Sequence, residues 1–439
     1  MEETTTVKKY PPKGILAAIG CTVALTCGPA TATAINVVIP QLVIAMDASL
    51  VQIALRSTLA TIVAFLCGLI GTKVIPLITP RLLMILGPLI GGGALIWSSQ
   101  TTSIFQFILT GIPAGIAMSL CAYTCVAAIC NDWFGRNSGK IFGVVSGVQV
   151  VLVSVMFNVI GRLLTAFNDY HVALLYVGLF TIIFGFLVAV LCIRKLDNTA
   201  IGLQEREAAA RRKAAGEEPD EGEREQTEGV MLKSGFKTAA LWLLIICVFF
   251  GGINITGMNS YLTTIFQGSG VSPGEAAVWL SYWTFAGGVT MLISGYLQKA
   301  TNSRVLVCCI FGGYVIGCIM LSVWLGNGTP MLAIAAACVL ACIKPITLIP
   351  GLCIPDIFGK KDYVAFNSLS VGCYYGGIAV CMILIAAIIQ NFGPQAAIIT
   401  QVVFACIALP AILIALKLSP YKKMTAARQE ALKAEEAKE

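Results

Sequence analysis

Charge is what this chain has least of. Asp, Glu, Lys and Arg together supply 12% of 439 residues, against about 25% in a water-soluble domain. That is too little to wet a globule of this size, so a soluble fold is excluded and the solvent is hydrocarbon. Histidine occurs once, as His171 beside Asp169, and is read as a surface residue. The 22 Asp and Glu lie in tails, loops and one central polar stretch, never in the middle of an apolar run. An enzyme working inside the membrane would need clustered His, Asp or Glu there. A proton relay through buried carboxylates, or a pocket for a cation, would need at least one such group. Gly135 and Lys140 are the nearest approach to a phosphate loop, but the spacing is wrong and no Ser or Thr follows. No cofactor, metal or nucleic-acid partner is implied, and the net charge of +7 reflects membrane topology.

What the sequence has is apolar length. Apolar residues make up 57% of the chain and the mean hydropathy is +0.86. Twelve runs of about 20 residues each suit a helix across a hydrocarbon core of about 30 Å, and a helix satisfies its own backbone where lipid cannot. The runs are 14–38, 51–72, 82–99, 104–130, 141–164 and 172–193, then 238–261, 276–298, 305–325, 331–353, 364–389 and 395–416. This predicts an all-α membrane protein of twelve transmembrane helices, ordered as a tail (1–13), a six-helix bundle (14–194), a polar linker (195–237), a second six-helix bundle (238–417) and a tail (418–439). No small-residue cleavage site follows the first run, so it is read as retained. The linker is expected to be part helix and part disorder. The 17 cysteines lie within apolar runs and read as small hydrophobes, without a disulfide framework. Gly28-Pro29 should break the first helix near its middle.

Positive charge orients the chain. If both termini are cytoplasmic, all but three of the 29 Lys and Arg fall on the cytoplasmic side, as the retention of basic loops requires. The exceptions are Arg56, Arg162 and Lys344. A charge inside a span costs about 2.5–3.5 kcal/mol on insertion scales and commonly faces a functional cavity. Arg56 and Arg162 lie near span ends, within reach of the outer interface. Lys344 lies more than 10 Å from either end of its span at about 1.5 Å per residue, too deep to snorkel easily. Pro345 biases it away from helical geometry and frees the carbonyl near Ala341. Two surroundings fit such a lysine: an anion, or the freed carbonyls of a hinge. With no negative counterpart at that depth, the cavity is net positive. Tyr374 and Tyr375 sit mid-span, away from the interfacial belts, and Tyr123, Asn254 and Gln149 are further polar groups placed to complete a site. Asn36, Asn158, Asn259, Tyr282 and Trp283 are weaker members of the same set.

The chain also repeats itself. Asp132-Trp133-Phe134-Gly135-Arg136 after the fourth run recurs half a chain later as Asp356-Ile357-Phe358-Gly359-Lys360, and Arg81 recurs as Arg304. Glycine permits the tight turn, the basic residue anchors at anionic headgroups, and Asp is placed to cap the next helix. Six helices and six more in one orientation form a parallel repeat about the membrane normal. Together these features resemble the major facilitator superfamily over nearly the whole chain. Trp133-Phe134 with Gly139 and Gly143 resembles the oxalate/formate antiporter and monocarboxylate-transporter branch, and Pro80-Arg81 with Gly87 resembles a degenerate form of the superfamily's second-to-third-helix motif, without its acidic residue.

That resemblance implies a secondary transporter, and the residues supply the expected cargo: a small organic anion, in the first place a monocarboxylate, paired with Lys344. Arg56, Arg162 and the tyrosines would assist, and transport would proceed by exchange or proton symport. The branch binds dicarboxylates with basic residues on helices eight and eleven, which this chain lacks, so one deep charge favours a monoanion. The alternatives are a bulky amphipathic acid, such as a sterol or aromatic carboxylate, and a non-transporting receptor, for which no signalling domain is evident. The protein is expected as a monomer in a cell membrane, of the bacterial cytoplasmic kind.

Overall fold

The structure, a computed structural model, describes residues 11–74, 79–214, 229–297, 302–359, 361–422 and 424–425. The tail up to residue 10, residues 75–78, the linker centre 215–228, Lys299, Lys360 and the tail from 426 lie outside the described residues, as do the side chains of Lys73 and Arg136. Among the described residues there is no strand, only an isolated pairing of Gly229 with Gly359.

Among the described residues, eleven helical stretches are long and apolar enough to cross a bilayer. The last of them, Ala365–Lys422, has 58 residues, about twice what one crossing needs. It turns at Gly393, where φ is 83° and ψ 173°, a conformation essentially confined to glycine. It is therefore two spans, and the count is twelve. The first stretch, Pro12–Ala45, and the seventh, Ala239–Gly268, run further than their apolar cores predict.

Several spans are interrupted where the sequence dictates. The first breaks at Gly28-Pro29 into Pro12–Cys27 and Ala30–Ala45, because Pro29 has no N–H to donate. The fourth breaks at Ala122, whose backbone is extended (φ −74°, ψ 155°). The sixth carries a π turn at Thr181–Phe186, and the tenth a 3₁₀ segment at Ala341–Leu348.

The chain forms two compact units. The first comprises Met1–Ile35, Val63–Val153 and Phe167–Glu218. Its core includes Cys21, Leu25, Met84, Cys121, Val126, Trp133 and Phe134. Spans one, three and four close on one another through small residues: a Cβ on Gly91 would lie 2.6 Å from the Gly28 carbonyl oxygen, and one on Gly87 would strike Cys121. Arg81 Nε donates to the carbonyl of Ile193 at 2.5 Å, satisfying an end of the sixth span. The linker helix Ile201–Ala214 meets the end of the fourth span, with Gly202 against the Asn131 carbonyl. His171, read as a surface group, is half-buried, with Nδ1 2.5 Å from the Ser99 carbonyl oxygen.

The second unit comprises Asn36–Ile62, Ser154–Ala166 and Pro219–Glu439. In it Thr263 donates its hydroxyl to the Asn36 carbonyl at 2.7 Å, and Gln41 Nε2 donates to Gln267 Oε1 at 3.2 Å. Span seven lies against span eleven, with Gly252 against the Tyr374 carbonyl and Gly377 against that of Phe249.

The two copies of the repeated loop turn alike. Gly135 has φ 53° and Gly359 φ 80°, a region L side chains avoid. The expected cap is not formed at Asp356. That residue lies inside the last turn of Ile349–Phe358, upstream of the glycine, so its carboxylate turns sideways and accepts from Ser303 Oγ at 2.6 Å. The next helix begins at Tyr363 behind Asp362, whose Oδ2 accepts from the Leu232 N–H at 2.8 Å. All 17 cysteines are free.

Candidate functional site

Pro345 determines the local geometry around Lys344. It cannot donate to Ala341, so the α-helix Pro330–Leu340 gives way to 3₁₀ turns over Ala341–Leu348. Irregular backbone at this depth survives only inside protein or beside water. Here three neighbours shelter it with glycines: Gly251 on span seven against Ile346, Gly287 on span eight against Lys344, and Gly313 on span nine against Cys342. The freed Ala341 carbonyl is taken by span eight, whose Thr290 hydroxyl lies 3.1 Å from it and 3.0 Å from the Gly287 carbonyl. With one proton to give, the Thr290 hydroxyl is shared between the two carbonyls, and it lies at the hinge carbonyl without the Lys344 ammonium.

The lysine goes elsewhere. It is half-buried, and its Nζ stands 3.7 Å from the centroid of the Trp283 ring. A Cβ on Gly287 would collide with Lys344 Cγ and lie 3.2 Å from Cδ and Cε, so the stem runs over that glycine to reach the indole. Trp283, Gly287 and Thr290 are spaced four and three apart, which puts them on one face of span eight. Trp283 is fully buried, and its Nε1 has no hydrogen-bond partner among the described residues. An unmet buried donor costs about 1–3 kcal/mol. The ion pair among the described residues is Lys13–Asp197, so no described carboxylate neutralises Lys344.

The other predicted residues take different places. Arg56 does not reach outward but is 1% exposed within span two. Arg162 is exposed, donates from Nε to Asn158 Oδ1 at 3.1 Å, and borders a cleft of about 350 Å³ with Thr165, Glu275 and Trp279. Tyr374 and Tyr375 are half-buried and pack edge to face at 5.9 Å. Asn254 has no exposed surface; its carboxamide nitrogen, correctly oriented, donates to Gln401 Oε1 at 2.7 Å. It belongs to a sealed network with Tyr314, whose hydroxyl lies 3.1 Å from the same oxygen. In the first unit, Tyr123 donates to Gln149 Oε1 at 3.2 Å.

Sequence reading singled out Lys344 and included Trp283 in its wider set, but missed Gly287 and Thr290. Their spacing from Trp283 was the available signal. Among the described residues no group of three or more His, Cys, Asp or Glu is placed to hold a metal.

The apolar spans among the described residues define a multi-pass membrane protein. The profile described as Major Facilitator Superfamily matches residues 21–344 and 267–438, and the chain belongs to that family. No curated protein matches it in sequence. Among solved structures it is similar to a bacterial homologue of the human lysosomal transporter Spinster, inward-facing and occupied, at 14% identity and TM-score 0.67, covering 93% of this chain and 98% of that one. A D-xylose–proton symporter gives 12% identity and TM-score 0.71 over 93% and 98%. The nucleoside transporter NupG gives 11% and 0.66 over 92% and 99%. At these identities the likeness establishes the fold, and with the family it makes the chain a transporter, not an enzyme.

Proposed function

We propose that the protein carries a small organic anion, in the first place a monocarboxylate, by alternating access of its two six-helix halves, as exchanger or proton symporter. The observation that carries this reading is the Lys344 ammonium, deep in span ten, held on an indole face with no described carboxylate beside it. A buried cation is costly until an anion meets it, and a single cation matches a single carboxylate. The hinge carbonyl that would otherwise draw this ammonium faces the Thr290 hydroxyl at 3.1 Å. Tyr374, Tyr375 and Arg56, which belong to the same unit as Lys344, would assist, and Asn254, paired with Gln401, would act only behind them. Exchange follows naturally, because an unloaded positive site is costlier to reorient than a neutralised one. Proton coupling would run through Lys344 itself, since no carboxylate lies mid-span. We place the protein as a monomer in a bacterial cytoplasmic membrane with both termini inside. The xylose and nucleosides carried by its structural neighbours give no comparable account of a lone cation.

The test is uptake of labelled acetate, lactate and benzoate into proteoliposomes. Native protein is expected to accumulate at least one of them, and Lys344→Ala to reduce that uptake at least about tenfold, the effect of losing about 1.4 kcal/mol of binding. Full uptake by the variant would end the anion reading. Preference for benzoate over the two short acids would transfer the assignment to bulky amphipathic carboxylates.

A further inference from the structure

We infer that Trp283 is a positioning residue for the cargo, a neutral stand-in for the counter-ion Lys344 lacks, with Gly287 as the gap that lets the lysine stem reach it. This deepens the anion reading and rests on it. Three observations converge. The Nζ lies over the ring face at 3.7 Å, within the range where a ring quadrupole attracts a cation. The stem crosses Gly287 where any Cβ would block it. The ring itself is fully buried with its N–H unmet.

The first observation separates this role from packing. A phenylalanine or leucine would fill much of that volume without stranding a donor, so filling alone does not call for tryptophan. Tryptophan is, however, the side chain whose face holds a cation best. The indole occupies one side of the ammonium and leaves its N–H groups to turn toward an arriving carboxylate. Held this way, the cation is fixed in place before cargo arrives, and less ordering remains to be done on binding. The arrangement serves one negative charge. A dianion would leave its second carboxylate without a partner at the indole.

The test pairs transport with stability in proteoliposomes and detergent, using the labelled monocarboxylate native protein takes up best. Trp283→Leu is expected to raise KM about 5- to 30-fold, the loss of a desolvated cation–π contact, alongside a lower melting temperature from the buried volume removed. Trp283→Phe should restore part of the KM, because it keeps a ring face for the cation. A residue needed only for packing would lower the melting temperature and leave KM alone. A KM within about twofold of native in Trp283→Leu, or Trp283→Phe no better than Trp283→Leu, overturns the inference. Where Trp283→Leu fails to insert, Trp283→Phe alone decides: a raised KM supports the inference and a KM within about twofold of native overturns it. Should native protein take up no probe, melting temperatures of Trp283→Phe, Lys344→Met and the double variant decide: additive shifts overturn the contact and non-additive shifts support it. Lys344→Ala retaining uptake defeats the anion reading itself, whereas loss of uptake there with an unmoved KM in Trp283→Leu defeats this inference alone.

Discussion

Lys344 and its neighbours illustrate how a single proline redistributes hydrogen bonds across two helices. Pro345 leaves the Ala341 carbonyl without its usual donor, and Thr290 from span eight supplies one at 3.1 Å. Thr290→Val keeps the shape and removes the hydroxyl, leaving a buried acceptor unmet. It is expected to cost about 1–3 kcal/mol, read as a lower melting temperature in detergent, and Thr290→Ser should recover most of it. The depth of the lysine and the freed carbonyl were legible in the sequence, because both follow from position along a span and from the chemistry of proline. The partners were not, because which face of span eight meets span ten is a matter of helix rotation. Apolar composition all round a helix does not encode rotation. The setting of Arg56 was hidden for the same reason: distance from a span end left open either an outward reach or a place inside, and packing leaves its side chain 1% exposed.

At the level of the element, the repeated loop shows what a five-residue motif fixes and what it leaves open. Gly359 has φ 80° and ψ −170°, a region essentially confined to glycine. Gly359→Ala is expected to destabilise the protein by about 1–3 kcal/mol, checked by thermal unfolding, and Gly135→Ala, at φ 53°, to act in the same direction. The turn was readable from glycine alone. The job of Asp356 was not, because its position inside the last turn of a helix, not its identity, sends the carboxylate to Ser303. Likewise the eleventh and twelfth spans were separable by hydropathy, while the conformation at Gly393 that divides one helical run of 55 residues was not.

On the scale of the whole chain, composition and positive-charge placement were enough for class and span count, since they report the solvent directly. The division into compact units was not readable, because it depends on which span ends pack together. One surface contact ties the start of the first span to the linker. Lys13 Nζ donates to Asp197 Oδ2 at 2.6 Å, and that bond, helped by the Thr199 hydroxyl, pulls the Asp197 carboxyl down to about 2. A carboxyl lower in the folded than the unfolded state stabilises above its unfolded value of about 3.9 and loses that contribution as pH falls toward 2. Asp197→Asn is therefore expected to lower the melting temperature slightly near pH 6, with the difference from native vanishing by about pH 2 and shrinking in high salt. The linker beyond it is attached at each end to its own unit: Gly202 meets the Asn131 carbonyl, and the Val230 N–H donates to the Phe358 carbonyl at 2.7 Å. Each half thus carries its own strap. A gene split within 215–228 would give two polypeptides that each keep theirs, and co-expression of the pair is expected to restore uptake, whereas a split before Ile201 would strand the first strap on the wrong fragment. The polar stretch that looks like a connector behaves in this respect as two separate endings, one for each half.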